Sequence, residues 1–128
     1  MKKVLLIEDD AKLSLALQMR LKMMKYDVAC SVDAVRAMDE ANRHQPELVI
    51  LDINLPGGNG FVVAERLRKN ISTMSTPIIF ITASEKPEYR QQANNIPQSA
   101  FLLKPFSAAQ LADAVSRCLN DDDEVYEL

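Results

Sequence analysis

The chain is poor in the residues that most active sites are built from. It has one histidine, two cysteines, three glycines and no tryptophan in 128 residues. His44, the lone histidine, stands before Pro46 in what reads as a surface loop, at the opposite end of the expected sheet from the clustered acids. A histidine phosphate relay or an imidazole metal site is therefore not expected. Cys30 and Cys118 lack any metal-type spacing, and without an export signal they read as reduced core residues. Gly57, Gly58 and Gly60 are not followed by Gly-Lys-Ser/Thr, so they are no P-loop and instead serve a sharp turn. No apolar stretch approaches the roughly 20 residues of a membrane span. Met1-Lys2-Lys3 leads into only four apolar residues before an acid, too few for a signal peptide, and a cytoplasmic location is expected. Net charge is −3, with five of the 18 acids gathered between Asp121 and Glu127; the body that remains has 13 acids against 15 bases. Neither balance points to nucleic acid or a membrane surface.

What the chain does have is apolar residues, 48% of the total, enough to bury a core in one domain without staples. They fall in a repeating order. Val4-Leu5-Leu6-Ile7 is followed by Leu13, Ala16, Leu17, Leu21 and Met24 at helical spacing. A short strand near Asp27–Cys30 precedes a helix marked by Ala34, Ala37, Met38 and Ala41. A strand from about Glu47 to Asp52 precedes a helix opened by Gly60 and marked by Phe61, Ala64 and Leu67. Pro77 introduces Ile78-Ile79-Phe80-Ile81. Pro87 opens a mostly polar fourth helix with only Tyr89 and Ala93 to bury, which should be marginal. A strand over Ala100–Lys104 leads to a fifth helix capped by Ser107, with Ala108, Leu111, Ala112, Val115 and Leu119 inward. Five β-α units whose strands read as continuous apolar runs require a parallel sheet covered on both faces. The expected fold is an α/β, doubly wound (βα)5 three-layer sandwich with its site at the carboxyl ends of the strands. The domain is expected to span 1–120, with 121–128 an acidic tail or the start of a linker.

Four of those runs end in chemistry. The first stops at Glu8-Asp9, the third at Asp52, the fourth at Thr82 and the fifth at Lys104. Taken singly, these read as solvated strand ends, turn residues, a capping hydroxyl and a surface charge. Taken together on neighbouring parallel strands they make one site. Clustered carboxylates raise one another's pKa unless a cation intervenes, and hard oxygen ligands open to solvent suit Mg²⁺. A carboxylate beside Mg²⁺ and a lysine can attack phosphorus and form an acyl phosphate.

Ile7-Glu8-Asp9-Asp10, Leu51-Asp52-Ile53-Asn54-Leu55-Pro56-Gly57-Gly58-Asn59-Gly60, Ile81-Thr82-Ala83 and Phe101-Leu102-Leu103-Lys104-Pro105-Phe106 resemble the receiver domain of two-component response regulators, over roughly residues 2–120. The resemblance implies a flavodoxin/receiver-like strand order 2-1-3-4-5. It implies Asp52 as phosphoacceptor; Glu8, Asp9, Asp52 and the Asn54 backbone carbonyl as ligands of Mg²⁺, for which Mn²⁺ could substitute; and Lys104 as partner of the phosphoryl group, before a cis peptide bond to Pro105. It also implies Thr82 and Phe101 as the switch pair. The donor would be a histidine kinase, a histidine phosphotransfer protein or a small acyl phosphate. The chain would then be a signalling domain that supports its own phosphorylation and slow dephosphorylation, not a dedicated turnover enzyme.

Two departures from the family stand out. Ile96-Pro97-Gln98-Ser99 replaces the Gly-Ala common before the fifth strand, and phenylalanine stands at 101 where tyrosine is also common. Both fall on the surface most receivers use for output, and no dimer through that surface is inferred. Leu15, Met19 and Met23 form an i, i+4, i+8 stripe away from the core face of the first helix. The stripe reads either as scattered apolar surface or as a docking face for the phosphoryl donor. The competing function is an aspartate-nucleophile phosphatase of the haloacid dehalogenase type, which would need an acid two residues after Asp52. Asn54 stands there and cannot take a proton. A flavodoxin-like cofactor binder lacks its Ser/Thr-rich phosphate loop after the first strand.

Overall fold

The computed structural model describes residues 1–120; the acidic segment 121–128 lies outside the described residues. Five parallel strands, β1 (Lys3–Ile7), β2 (Asp27–Ser31), β3 (Leu48–Asp52), β4 (Ile78–Thr82) and β5 (Ser99–Leu103), pair in the order 2-1-3-4-5. Helices α1 (Ala11–Met23), α2 (Ala34–His44), α3 (Gly60–Lys69), α4 (Pro87–Asn94) and α5 (Ala108–Leu119) complete the (βα)5 sandwich expected from the sequence. A two-residue antiparallel ribbon, Asn54–Leu55 with Gly58–Asn59, fills the turn after β3.

The strand pleat sorts the core into two layers. Leu5, Ile7, Val49, Leu51, Ile78 and Phe80 face α2, α3 and Ala93 of α4. Val4, Leu6, Leu48, Ile50, Ile79 and Ile81 face α1 and α5. β3 and β4 are buried along their whole length, which is why they read as unbroken apolar runs. The same alternation orients the strand ends. Glu8, Asp52 and Lys104 continue the rows that face α1 and α5, whereas Thr82 continues the row of Ile78 and Phe80 on the opposite side.

Local chemistry starts and stops the helices. Asp10 caps α1 by accepting from the Lys12 and Leu13 amides, Asp33 caps α2 through Arg36 N, and Asn59 caps α3 through Val62 N. Ser107 forms a full capping box with Gln110 at α5. Among the described helices only α4 starts without a side-chain cap, with Pro87 in its first turn and Ala93 its single buried residue. Burial of this helix is as slight as the polar sequence predicts.

Several expected inward positions shift. Ser14, not Ala16, joins Leu17 and Leu21 on the buried face of α1; Ala16 and Ala108 are exposed. Each lies at the rim of its helical stripe, and a small side chain gains little from burial there. Cys30 and Cys118 are free and half-buried at the edge of the α1/α5 layer, not in its centre. His44 closes α2 instead of lying in a loop, and its half-buried ring meets the Asp27 carbonyl at 3.2 Å, at the end of the sheet away from the acids. At the unusual 96–99 turn, Gln98 adopts the left-handed conformation (φ 55°). Arg68 of α3 holds that turn by donating to Pro97 O at 2.7 Å, Gln98 O at 3.3 Å and Thr76 O at 2.7 Å.

Gly60 sits where α3 meets the backbone of β3. Its amide donates to Ile53 O at 2.7 Å, and a Cβ there would lie 2.5 Å from Asp52 O and 2.9 Å from Ile53 Cα. Gly60→Ala should therefore force α3 off the strand end and destabilise the fold by about 1–3 kcal/mol. Urea unfolding measures this directly; a wild-type midpoint would show that the approach can relax at no cost.

Candidate phosphoacceptor site

Pairing of β1 with both β2 and β3 brings the first and third strand ends side by side. Glu8, Asp9 and Asp52 each place one carboxylate oxygen within 4.8 Å of the others. Glu8 and Asp52 are nearly buried, while Asp9 faces solvent. Backbone amides at the following turns hold the two buried carboxylates: Asp10 N donates to Glu8 Oε2 at 3.0 Å and Asn54 N to Asp52 Oδ1 at 3.1 Å. Lys104 directly follows β5, precedes a cis peptide bond to Pro105, and bridges both, with Nζ 2.9 Å from Glu8 Oε1 and 3.2 Å from Asp52 Oδ2. Its own amide donates to Thr82 O at 2.8 Å, fastening β5 to the end of β4.

The electrostatics follow from burial and crowding. Glu8 is held above the ordinary carboxylate range, first by burial. The Lys104 ammonium and the Asp10 amide oppose that, and the nearby Asp52 carboxylate adds to it. For Lys104 burial lowers the pKa, but the bonds and charges of Glu8 and Asp52 outweigh it and hold the ammonium above its usual value. Two buried carboxylates sharing one cation are short of positive charge. Three hard oxygen donors, one of them open to water, fit a small divalent cation, and Glu8, Asp9 and Asp52 are the residues able to hold one.

Thr82 is wholly buried on the other side of the sheet end. Its Oγ1 accepts from Ser84 N at 3.1 Å and from Asn54 Nδ2 at 3.4 Å. Phe101 pairs in register with Phe80, half-buried against the same α2/α3 layer, so Thr82 and Phe101 share a face. Leu15, Met19 and Met23 are exposed along α1, by 59%, 59% and 78%, so the stripe is accessible and is not absorbed into the core.

Comparisons with known proteins identify the family and the fold. Residues 4–116 match the family model described as the response regulator receiver domain. The chain belongs to that family. It is 34% identical over 121 residues to the transcriptional regulatory protein CrdR of Helicobacter pylori, covering 94% of this chain and 56% of that protein. It is 31% identical over 125 residues to the master transcriptional regulator RpaA of Synechocystis, covering 98% and 52%. The receiver thus spans about half the length of these curated relatives. The solved chemotaxis protein CheY4 of Vibrio cholerae superposes with a TM-score of 0.86 at 26% identity, over 92% of this chain and 98% of that one. Receiver domains are signalling domains in two-component systems, and these matches lend no support to the dehalogenase-type phosphatase reading. No helix among the described residues of the receiver is long and apolar enough to cross a membrane.

Several contributing residues have roles not assigned from the sequence. Asp10 combines a helix cap with the amide that holds Glu8; an acid two residues beyond a strand end, at a helix start, is the signal for that cap. The Asn54 carboxamide lies between Thr82 and the Tyr89 hydroxyl, a contact across 35 residues that no local pattern reveals.

The raised value of Glu8 has a sign consequence. Without metal its contribution favours folding most at pH below its ordinary value near 4.5 and is lost as pH rises through the raised value. Metal-free Glu8→Gln should therefore be more stable than the native protein at neutral pH, with the difference closing towards pH 4. A divalent cation at 100 times its Kd should add about 2.7 kcal/mol to the native protein and much less to the variant. Thermal unfolding with and without MgCl₂ reads both. Equal metal stabilisation in the two proteins would remove Glu8 from the cation site.

Proposed function

We propose that Asp52 accepts a phosphoryl group and that the resulting acyl phosphate switches the receiver between two conformations. The observation that carries this is the Lys104 ammonium, held 3.2 Å from Asp52 and 2.9 Å from Glu8 at a cluster of three carboxylates, in a chain of the receiver family. An Asp52 oxygen attacks phosphorus as the bond to the donor breaks, and the donor's nitrogen or acyl oxygen leaves with the electron pair. Mg²⁺, or Mn²⁺ in its place, held by Glu8, Asp9, Asp52 and the Asn54 carbonyl, would neutralise charge on the phosphoryl oxygens. Lys104 pairs with the phosphoryl group from the other side. Thr82 then donates its hydroxyl to a phosphoryl oxygen, and Phe101 turns into the space it leaves. Asn54 offers no general base for hydrolysis, so the group persists long enough to signal.

The donor is a histidine kinase, a histidine phosphotransfer protein or a small acyl phosphate, in the cytoplasm. The first two dock on α1 through Leu15, Met19 and Met23. Beside that stripe lies a cavity of about 200 Å³ lined by Arg20, Met23, Met24, Ala108, Leu111 and Ala112. A second, of about 380 Å³, adjoins Lys104 and Pro105. The two curated relatives are named as transcriptional regulators, and a transcriptional output is the reading those names favour for the whole protein.

Mass spectrometry after incubation with Mg²⁺ and acetyl phosphate should record one added phosphoryl group on the native chain and none on Asp52→Asn. Multiple turnover of a generic phosphate ester would instead support a phosphatase. Met19→Glu should slow transfer from a cognate kinase by roughly fivefold or more and leave modification by acetyl phosphate unchanged. Equal loss in both reactions would reject the docking face.

A further inference from the structure

We propose that α4 holds both switch positions in their resting arrangement through two consecutive side chains. Tyr89 acts on Thr82 through Asn54, and Arg90 acts on Phe101 directly. The inference rests on Thr82 and Phe101 being the switch pair.

The two ends of α4 are held differently. Its C-terminal end is anchored: Ala93 is buried, and Ser99 Oγ donates to Ala93 O at 2.7 Å and to Ile96 O at 2.8 Å. Its N-terminal half has no side-chain cap and no buried residue. Beneath it lies a cavity of about 140 Å³ bounded by Ser84, Lys86, Pro87, Arg90, Phe101 and Leu103. An eight-residue helix with so little burial is not stable on its own. That half is fastened by side chains. The Tyr89 ring packs on Phe61 at 5.9 Å and its hydroxyl donates to Asn54 Oδ1 at 3.4 Å, while Asn54 Nδ2 donates to Thr82 Oγ1 at 3.4 Å. The Arg90 guanidinium lies over the Phe101 ring, 4.6 Å from its centre.

Both switching movements break this fastening. Thr82 cannot advance towards a phosphoryl oxygen without leaving Asn54, and Phe101 cannot turn inward without leaving Arg90. The contacts therefore exist in one state and not the other, which is the condition for biasing an equilibrium. By linkage, weakening them favours the switched state and frees the N-terminal half of α4, with Ala93 as the fixed end. Tyr89 and Arg90 are thus positioning residues for phosphoryl uptake, and they couple uptake to movement of the helix.

Tyr89→Phe removes the hydroxyl and keeps the ring on Phe61; Arg90→Gln removes the cation over Phe101. Each should raise the rate of phosphoryl uptake from acetyl phosphate by about two- to fivefold, and the double variant by more than either alone. Arg90→Lys should return most of the native rate. Amide exchange over residues 84–91 should quicken in both variants before any phosphorylation, while Mg²⁺ affinity by titration calorimetry stays native in Arg90→Gln. Native or slower uptake in both variants, with native exchange, would overturn the clamp while leaving the acceptor role standing. Failure of the native chain to gain a phosphoryl group would refute the acceptor role itself and the proposal with it.

Discussion

Two nearly buried carboxylates, Glu8 and Asp52, meet at the edge of this sheet and share a single ammonium. With carboxylate oxygens within 4.8 Å of each other, two such charges repel by at least about 3.5 kcal/mol at an effective dielectric near 20, and desolvation adds to the strain. The arrangement is tolerable because Lys104 lies between them and because backbone amides of Asp10 and Asn54 bind the outward oxygens. A site so short of positive charge has a built-in affinity for a divalent cation. Under the proposed function, a phosphoryl group brought with that cation would find Asp52 as nucleophile and Lys104 as counter-charge in place, with the Thr82 hydroxyl one movement away.

The fold delivers these groups by simple means. Parallel pairing aligns the carboxyl ends of β1, β3, β4 and β5, and the two-residue pleat turns Glu8, Asp52 and Lys104 to one side and Thr82 to the other. The proposed acceptor and switch residues would thus occupy opposite faces of the same sheet edge. Gly60 lets α3 close on the backbone of Asp52, and the ribbon after β3 is tied to α2 by Ala34 N donating to Pro56 O at 3.1 Å, so the loop carrying Asn54 is braced. That bracing contrasts with α4, which alone among the described helices lacks a side-chain cap. A phosphorylation switch needs both, a fixed site and a loosely held reporter.

Much of this was legible in the residues themselves. Unbroken apolar runs ending in Glu8, Asp52 and Lys104 reveal buried strands and their polar ends, because burial on both faces leaves no other composition stable. The polar face of α4 likewise betrays its weak packing. Helical spacing places Ala16 and Ala108 inward, yet alanine is compatible with either side of a helix and periodicity alone does not rank it. Apolar periodicity does not pick out Ser14, whose hydroxyl can be buried once bonded, here accepting from Gln18 Nε2 at 3.0 Å. The contacts Tyr89–Asn54, Arg90–Phe101 and Arg68 with the 97–98 carbonyls join segments about 10 to 35 residues apart. They depend on where loops come to rest, which no local pattern encodes. The same holds for the turn at Gln98, where a non-glycine residue takes a left-handed conformation that Arg68 stabilises from a different element.

The dependence of the whole site on one positive charge can be measured in Lys104→Met, a substitution that keeps most of the side-chain volume. If Glu8 and Asp52 are held together by that ammonium, the metal-free variant should lose about 3 kcal/mol in thermal or urea unfolding near neutral pH. Adding Mg²⁺ should restore most of the loss, so that its stabilising effect is larger in the variant than in the native protein. A metal-free variant as stable as the native chain, or one that Mg²⁺ does not rescue, would contradict the idea that charge shortage at this sheet edge drives the chemistry.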